Sequence, residues 1–360
     1  MDLREFIDHL SKQGHLRRVD REVDWRFELG EMARNNQLPL LFEKIKDYPG
    51  QRVFTNGMSS ISSMALALGL GPQTRWRAFI TEVRRKAAAL IEPQVVDTGP
   101  VLENVVQAPE INFLDFPVPQ WSNHDGGRYL GTWHINVSRD LETGSRNLGV
   151  YRMEVLGPNQ ATVSTSPNSH LARHVAKAEK AGRPLEMAVA IGTSEAIVMA
   201  AAAGLPYGTD EYGLAGGLQG EGIRLVRCGT VNLEVPADSE IVIEGVIKPR
   251  VRVDDGPYFD YVGTANTNSN AFLFEATRLS FRSDPIFRGT AVGRPGAEDQ
   301  QVFSVLSALG LFDFHGSRPK HHIQAHLVKR RFFSAFQFVG RMGWKNLRKS
   351  LKISPPRSPG

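Results

Sequence analysis

The fold class is decided by the stretch TWHINVSR at residues 132–139. Its apolar residues Trp133, Ile135 and Val137 alternate with polar residues. Successive side chains of a β-strand point to opposite faces of its sheet, so this alternation predicts a strand. Further strands are predicted at residues 149–156, 161–165, 187–191, 222–228, 240–246, 272–281 and 286–292. Many short strands at close spacing favour a barrel or a sandwich.

Helical patterns precede and interrupt this strand-rich region. Asp2 is placed to cap a helix at residues 2–14, in which apolar residues recur at helical spacing and Gly14 marks the end. Further helices are predicted at residues 27–35, 76–91, 169–181 and 194–203. The sequence therefore predicts an α+β protein. We divide it into an N-terminal α/β domain at residues 1–110, a central strand-rich domain at residues 111–300 and a partly disordered C-terminal region at residues 301–360, which the family resemblance described below marks as a divergent remnant.

The composition is typical of a globular protein, with 41% hydrophobic and 22% charged residues. A single cysteine, Cys228, excludes an intramolecular disulfide and favours a reducing compartment, so we expect a cytoplasmic protein. The charged start of the chain predicts no signal peptide. The longest apolar run is interrupted by Glu195, which predicts no transmembrane segment.

The net charge of +5 comes from the end of the chain. Beyond Ser317 lie 11 of the 43 Lys and Arg and none of the 38 Asp and Glu, so the residues up to Ser317 carry −6. A basic tail can bind nucleic acid or an anionic membrane, whereas a solvated or disordered end is the alternative. We favour the alternative and expect no nucleic-acid partner.

Two carboxylates, Asp255 and Asp260, flank Gly256 and Pro257 in the segment VDDGPYFD at residues 253–260. Gly-Pro is typical of a sharp turn, which would point both carboxylates into one pocket. Two carboxylates in different environments can divide acid and base roles. A pair of solvated aspartates beside a turn is the alternative.

Other sequence patterns give less information about function. The glycines at 213, 216, 217 and 220 fit neither a dinucleotide fingerprint nor a phosphate-binding loop, and we expect them to let a loop pack closely. His322 and His326 have the spacing of a helical metal pair, but no carboxylate follows them to complete a site, and surface histidines are the alternative. The chain has no nucleophile elbow of the Gly-x-Ser-x-Gly type.

Several segments resemble the UbiD family of prenylated-flavin-dependent decarboxylases. They are DLREFI at residues 2–7, DGGRY at 125–129, RNLGVYR at 146–152, EYGLAG at 211–216, LEVPA at 233–237 and GRP at 293–295. The resemblance is continuous from Asp2 to the region near residue 300. It implies an N-terminal α/β domain and a central split β-barrel of flavin-reductase type that binds FMN.

The resemblance also implies the cofactors. The family uses prenylated FMN, whose phosphate is held through Mn²⁺ or Mg²⁺ with K⁺ nearby. Asn147, His170 and Glu211 take the positions of the metal ligands, and their amide, imidazole and carboxylate groups suit a hard cation. Sequence spacing alone would leave them as unrelated residues. Contacts to the cofactor are implied for Asn147, Val150, Tyr151, Arg152, Ser169, His170, Gly204 and Glu211.

Arg152, Asp255 and Asp260 take the positions of the family's catalytic Glu-Arg-Glu trio. The resemblance implies that Arg152 orients the substrate carboxylate and pairs with Asp255, and that Asp260 donates a proton after CO₂ leaves. The implied function is reversible, non-oxidative decarboxylation of an α,β-unsaturated or aromatic carboxylic acid. The implied partners are a flavin prenyltransferase that supplies the cofactor and further copies of the chain, at least a dimer unless the shortened C-terminus prevents it.

Three features depart from the family pattern. Phe259 stands where the family usually has glycine, Asp255 is one methylene shorter than the usual glutamate, and the similarity fades beyond residue 300. The alternative function is therefore a truncated paralogue that binds flavin phosphate or a protein without catalysis.

Overall fold

The structure is a computed structural model and describes residues 1–293 and 296–311. Eight α-helices lie in these residues: α1 (Leu3–Lys12), α2 (Glu28–Arg34), α3 (Ile61–Ala67), α4 (Trp76–Ala87), α5 (His170–Lys180), α6 (Glu195–Ala201), α7 (Glu211–Gln219) and α8 (Glu298–Leu309). The strands of the same residues are β1 (Arg17–Val23), β2 (Leu40–Ile45), β3 (Arg52–Thr55), β4 (Gln94–Val95), β5 (Asn104–Gln107), β6 (Tyr129–Gly131), β7 (His134–Arg139), β8 (Arg146–Gly149), β9 (Met153–Gly157), β10 (Gln160–Val163), β11 (Leu185–Ile191), β12 (Arg224–Arg227), β13 (Glu234–Pro236), β14 (Ile241–Phe259), β15 (Ala265–Phe281) and β16 (Ile286–Arg288).

Helix α1 begins where its sequence predicts. The Asp2 carboxylate accepts from the Glu5 amide at 2.8 Å, and the Glu5 carboxylate accepts from the Asp2 amide at 2.9 Å. This reciprocal capping satisfies two donors that a helix start leaves open. The predicted helices at 27–35, 76–91, 169–181 and 194–203 are also confirmed, as α2, α4, α5 and α6.

A nine-stranded sheet forms the centre of the fold. Its strand order is β6-β9-β10-β15-β14-β11-β7-β8, and β5 pairs with β15. Ile135 and Val137 of β7 pack in one hydrophobic cluster with α6 and α7. The sheet curls on its other face. Residues from distant strands, such as Tyr129 of β6 and Val189 of β11, belong to a second hydrophobic cluster there. The mixed α and β fold with a curled central sheet is confirmed, whereas its flavin-reductase type stays a prediction.

Two smaller sheets flank the central one. Strands β1, β2, β3 and β16 form a four-stranded sheet in this order, and β13, β12 and β4 form a three-stranded one. In the four-stranded sheet β16 comes from residues 286–288, far along the chain, and pairs in parallel with β3. The boundary at residue 110 stays a prediction.

The predicted turn at Gly256 and Pro257 is wrong, because both residues lie within β14. The chain reverses later, where the amide of Asp260 donates to the carbonyl of Thr264 at 2.9 Å. Asp255 pairs with Asn268 of β15 and Tyr258 with Asn266, so three steps along β14 oppose two along β15. The extra residue is a β-bulge, and Gly256 takes a φ of +99° that other residues adopt with strain.

The predicted glycine loop is wrong in a similar way. Gly213, Gly216 and Gly217 lie in α7, and Gly220 ends that helix with a φ of +95°. Close packing is the part of the prediction that holds. A Cβ on Gly216 or Gly217 would lie 2.4 Å from the carbonyl oxygen of Ile91 or Ala89, so the helix can approach this backbone only as glycine.

The basic tail, with His322 and His326, and the rest of the predicted C-terminal region beyond Leu311 lie outside the described residues. The same holds for the family-like pair Arg294 and Pro295. In the described part of the chain, every helix is too short or too polar to cross a membrane.

Candidate active site

The segment from Gly149 to Met153 carries the centre of the site. One strand was predicted at residues 149–156, but the structure has two, β8 and β9, which pair with different neighbours. The side-chain oxygen of Asn136 accepts a hydrogen bond from the Tyr151 amide at 3.1 Å. The strand breaks here because this amide is then no longer available to pair with the backbone of a neighbouring strand. Arg152 therefore projects from the break between two strands of the central sheet.

The structure brings Arg152, Asp255 and Asp260 together. The Nε atom of Arg152 donates to both oxygens of Asp255, at 2.9 and 3.1 Å. Its Nη1 atom lies 3.5 Å from Oδ2 of Asp260. The side chain of Asp255 is fully buried, that of Arg152 is 15% exposed and that of Asp260 is 27% exposed. The guanidinium group thus lies between one enclosed carboxylate and one that meets solvent.

The two carboxylates differ in their surroundings. Burial raises the pKa of Asp255, the positive charge of Arg152 opposes this rise, and the charge of Asp260 adds to it. Asp260 accepts from the Tyr261 amide at 2.6 Å, which holds its carboxylate at the start of the loop after β14. The Arg152 guanidinium also lies 5.0 Å from the ring centre of Tyr258, which forms one wall of this group.

Two further carboxylates line the same place, and the sequence interpretation gave neither a role. Asp125 accepts from the amides of Ser122 and Phe259, each at 2.8 Å, and burial raises its pKa to about 6. Glu154 accepts from the Gly256 amide at 2.6 Å. Because Glu154 follows Arg152 by two residues, the period of a strand was the signal that could have placed it on the same face.

Of the predicted metal ligands, Asn147 and His170 are in contact, and Glu211 contacts Leu148, the residue after Asn147 in β8. Oδ1 of Asn147 lies 3.1 Å from Nδ1 of His170, the first residue of α5. Glu211, the first residue of α7, accepts from the amide of Leu148 at 2.9 Å. The starts of α5 and α7, which are remote from β8 in sequence, therefore contact neighbouring residues of that strand.

The electrostatics of this set fit a hard cation. Burial raises the pKa of Glu211 to about 7, and Arg146 is the positive charge that opposes this rise. Arg146 is itself engaged, with its Nε atom 3.1 Å from Asp210 and its Nη1 atom 2.9 Å from Glu234. Burial and the charge of Arg173 lower the pKa of His170, which favours the neutral imidazole that binds metals.

Among the other predicted cofactor contacts, Val150, Tyr151 and Ser169 are neighbours of this set in sequence, whereas the Gly204 amide donates to the Leu311 carbonyl. Ser169 caps α5 by accepting from the Ala172 amide at 3.0 Å, next to His170. Val150 and Tyr151 lie in the break between β8 and β9. Gly204 precedes Tyr207 in the connection from α6 to α7, and the Tyr207 ring stands edge-on to His170 at 5.1 Å. Among the described residues no group of three or more His, Cys, Asp or Glu side chains is arranged to hold a metal, and this set has two of them and an amide.

Asp299, in the first turn of α8, is a buried carboxylic acid that the sequence interpretation missed. Asp299 is 6% exposed, and no side chain among the described residues forms a hydrogen bond with its carboxylate. Burial raises its pKa to about 7, and the charges of Glu298 and Asp260 act in the same direction. At neutral pH this group therefore carries less charge than an exposed aspartate.

Asp299 predicts a pH dependence of stability. A raised pKa in the folded state stabilises the protein below the ordinary value near 3.8, and this contribution is lost as pH rises through about 7. Between pH 4 and pH 8, we expect the unfolding free energy of the parent protein to fall relative to that of Asp299→Asn, by at most about 4 kcal/mol. Urea unfolding at several pH values measures this, with Asp20→Asn, an exposed position, as the control. Parallel pH profiles for the parent and Asp299→Asn would contradict the expectation.

The chain is similar to known proteins over most of its length. Residues 94–295 match the family model of the 3-octaprenyl-4-hydroxybenzoate carboxy-lyase Rift-related domain, and residues 7–83 match that of the N-terminal domain of the same enzyme. The pyrrole-2-carboxylic acid decarboxylase of Pseudomonas aeruginosa is 32% identical over 327 residues, which cover 87% of this chain and 66% of that protein. The phenolic acid decarboxylase of Bacillus subtilis is 31% identical, with 86% and 68% covered.

Solved structures give the same result. An evolved dimeric form of the UbiD-class enzyme HmfF from Pelotomaculum thermopropionicum, in complex with prFMN, superposes with a TM-score of 0.78 at 31% identity, over 86% of this chain and 71% of that one. The vanillic acid decarboxylase of Sedimentibacter hydroxybenzoicus in its closed form reaches 0.81 at 31% identity, over 85% and 67%. The chain spans about two thirds of the length of the curated relatives it matches. It belongs to the UbiD family.

Proposed function

We propose that this chain catalyses the reversible, non-oxidative decarboxylation of an α,β-unsaturated or aromatic carboxylic acid with prenylated FMN as cofactor. The observation that carries the proposal is the placement of Arg152 between Asp255, at 2.9 Å, and Asp260, at 3.5 Å. The names of the relatives, which are decarboxylases of pyrrole-2-carboxylic and phenolic acids, support it.

Arg152 binds and orients the substrate in this proposal. Its Nε atom is taken up by Asp255, which fixes the plane of the guanidinium group. The Nη1 edge faces Asp260 and retains donors for a substrate carboxylate, which a guanidinium group matches in shape. Because Asp255 is buried and bound to Arg152, it serves as the fixed partner of the arginine and not as the proton donor.

Asp260 is the proposed proton donor. Loss of CO₂ from an sp² carbon leaves an electron pair, and the modified flavin supplies the sink for it when bound. The carboxyl group of Asp260 then gives its proton to the carbon that carried CO₂, and it regains a proton from water through its exposed edge. Each turnover in this direction consumes one proton.

Asn147, His170 and Glu211 are the residues that would hold the divalent cation, Mn²⁺ or Mg²⁺, beside the cofactor phosphate. A cation there offsets the cost of burying the Glu211 carboxylate, which is the fit that supports the assignment. We further propose K⁺ as a second cation, a flavin prenyltransferase as cofactor supplier and a homo-oligomeric state.

Removal of one ligand is expected to weaken metal binding. Glu211→Gln keeps the acceptor for the Leu148 amide but removes the charge, so we expect Mn²⁺ affinity to fall by about tenfold or more. Titration calorimetry of the purified protein with Mn²⁺ measures this. The control is Glu221→Gln, an exposed position that follows α7. Equal Mn²⁺ affinities for the two variants would remove Glu211 from the ligand set.

Release of CO₂ tests the proposal itself. The protein is co-expressed with a flavin prenyltransferase and supplied with a panel of aromatic and α,β-unsaturated acids. We expect CO₂ from at least one acid, together with the product that carries hydrogen in place of the carboxylate. A protein that binds the flavin and releases no CO₂ from any acid would instead support the alternative, a non-catalytic paralogue that binds flavin phosphate or a protein.

A further inference from the structure

We infer that Glu154 is a positioning residue, whose buried carboxylate holds the Gly256 bulge and so fixes Asp255 and Asp260 relative to Arg152. This inference rests on the proposed function and adds a residue to it.

Glu154 connects three strands of the site. The residue lies in β9, two positions after Arg152, and is 7% exposed. Its Oε2 atom accepts from the Gly256 amide of β14 at 2.6 Å and from the Tyr129 hydroxyl of β6 at 3.3 Å. Its own amide donates to the Thr162 hydroxyl at 2.9 Å. Donors from β14 and β6 therefore fix the carboxylate, and the carboxylate in turn fixes the amide of the bulge.

The bulge needs such an acceptor. Three steps along β14 oppose two along β15 between Asp255 and Tyr258, so the ladder leaves the extra residue without its regular partner. The Gly256 amide finds its acceptor in Glu154. Gly256 follows Asp255 directly, and a rotation of their shared peptide would turn the Asp255 carboxylate away from Arg152. The acceptor on β9 thus ties β14, which carries Asp255, to the strand that directly follows Arg152.

Two glycines make room for this contact, which is an independent sign that it is built into the fold. A Cβ on Gly127 would lie 2.4 Å from Oε1 of Glu154. A Cβ on Gly126 would lie 2.7 Å from the Gly256 carbonyl oxygen, and the Gly126 amide donates to the Pro257 carbonyl at 2.6 Å. Both glycines belong to the DGGRY segment at residues 125–129, so this segment packs on Glu154 and on the bulge together.

The role needs an acceptor and not a charge. Burial raises the pKa of Glu154, and the nearby charge of Asp255 acts in the same direction, while the Gly256 and Tyr129 donors oppose it. Glutamine offers the same acceptor atom at the same distance along the side chain. Leucine fills a similar volume and offers none. The pair of substitutions therefore separates positioning from proton transfer.

Hydrogen exchange of the Gly256 amide tests the contact on the protein without cofactor. We expect Glu154→Leu to exchange this amide about tenfold faster, and Glu154→Gln to stay close to the parent protein. Glu154→Asp withdraws the carboxylate by one methylene and should also speed exchange, so the test holds if the leucine variant fails to fold. The control is Glu186→Leu, which removes an exposed glutamate that accepts from the Asn232 amide at 3.0 Å, away from the site.

Turnover of the cofactor-loaded variants tests the consequence. We expect Glu154→Leu to lower kcat on the order of 10²-fold with a smaller change in KM, and Glu154→Gln to restore most of the rate. Two results would overturn the inference: unchanged Gly256 exchange in both the leucine and aspartate variants, or a glutamine variant as slow as the leucine one. If the parent protein releases no CO₂, the proposed function fails, while the exchange measurement still decides whether Glu154 holds the bulge.

Discussion

Asp260→Asn is expected to lower CO₂ release by about 10²–10⁴-fold while the flavin stays bound. Asparagine keeps the shape of the side chain and an acceptor for the Tyr261 amide, so the loop after β14 should keep its position. It has no acidic proton to give to the carbon that loses CO₂. The loss should therefore fall on kcat, whereas substrate affinity, which depends on Arg152, should change little.

The matched control for this variant is Asp254→Asn. Asp254 lies in β14, the strand that precedes Asp260, next to Asp255, and is exposed. Turnover by the control should equal that of the parent protein within a factor of about two. Rates are compared on protein of equal flavin content, which absorbance provides. Full turnover by Asp260→Asn would exclude Asp260 as the proton donor.

Arg288→Met is expected to lower the unfolding free energy by about 3–5 kcal/mol. Arg288 is fully buried, with its Nε atom 3.0 Å from Glu195 and its Nη1 atom 3.1 Å from Glu298. The Trp133 indole donates to Glu195 at 2.7 Å. Removing Arg288 takes away the positive charge that this group has among the described residues and leaves two buried carboxylates close together, and burial already raises the pKa of Glu195.

Chemical unfolding at pH 7 measures this loss. Arg18→Met is the control, because Arg18 is half exposed and pairs with Glu43 on the surface at 2.6 Å. A surface pair contributes about 1 kcal/mol at most. Glu195, Arg288 and Glu298 lie in α6, β16 and α8. If Arg288→Met loses no more stability than Arg18→Met, this buried cluster does not stabilise the contact between the three elements.

Local patterns predicted the parts of the fold that local chemistry determines. The alternation at 132–139 and the capping residues Asp2 and Glu5 each act within a few residues, and β7 and α1 lie where they predict. The bulge at Gly256 depends on register against β15, which no pattern within β14 records. Gly-Pro therefore indicated a turn where the structure has a distorted strand.

The glycines of α7 show the same limit. Gly216 and Gly217 argue against a helix by propensity, but the backbone at Ala89 and Ile91 approaches so closely that only glycine fits. Tertiary packing thus decides the conformation. The local sequence of α7 gives no sign that the backbone at Ala89 and Ile91 packs against it.

The candidate site shows what spacing can and cannot give. Arg152 and Asp255 are 103 residues apart, and only resemblance to a family joined them before the structure placed them in contact. The same holds for Asn147 and His170, which meet because β8 ends beside the start of α5. Glu154 and Asp299 had no such guide, since their roles follow from burial and from the partners they have or lack.

The cofactor is the central claim, and native mass spectrometry of the protein co-expressed with a flavin prenyltransferase in Mn²⁺-supplemented medium tests it most directly. The site at Asn147, His170, Glu211 and Arg152 predicts one prenylated FMN per chain, together with a divalent metal. Protein that carries no flavin, although the prenyltransferase supplies its product to another member of the family in the same cells, would contradict the account.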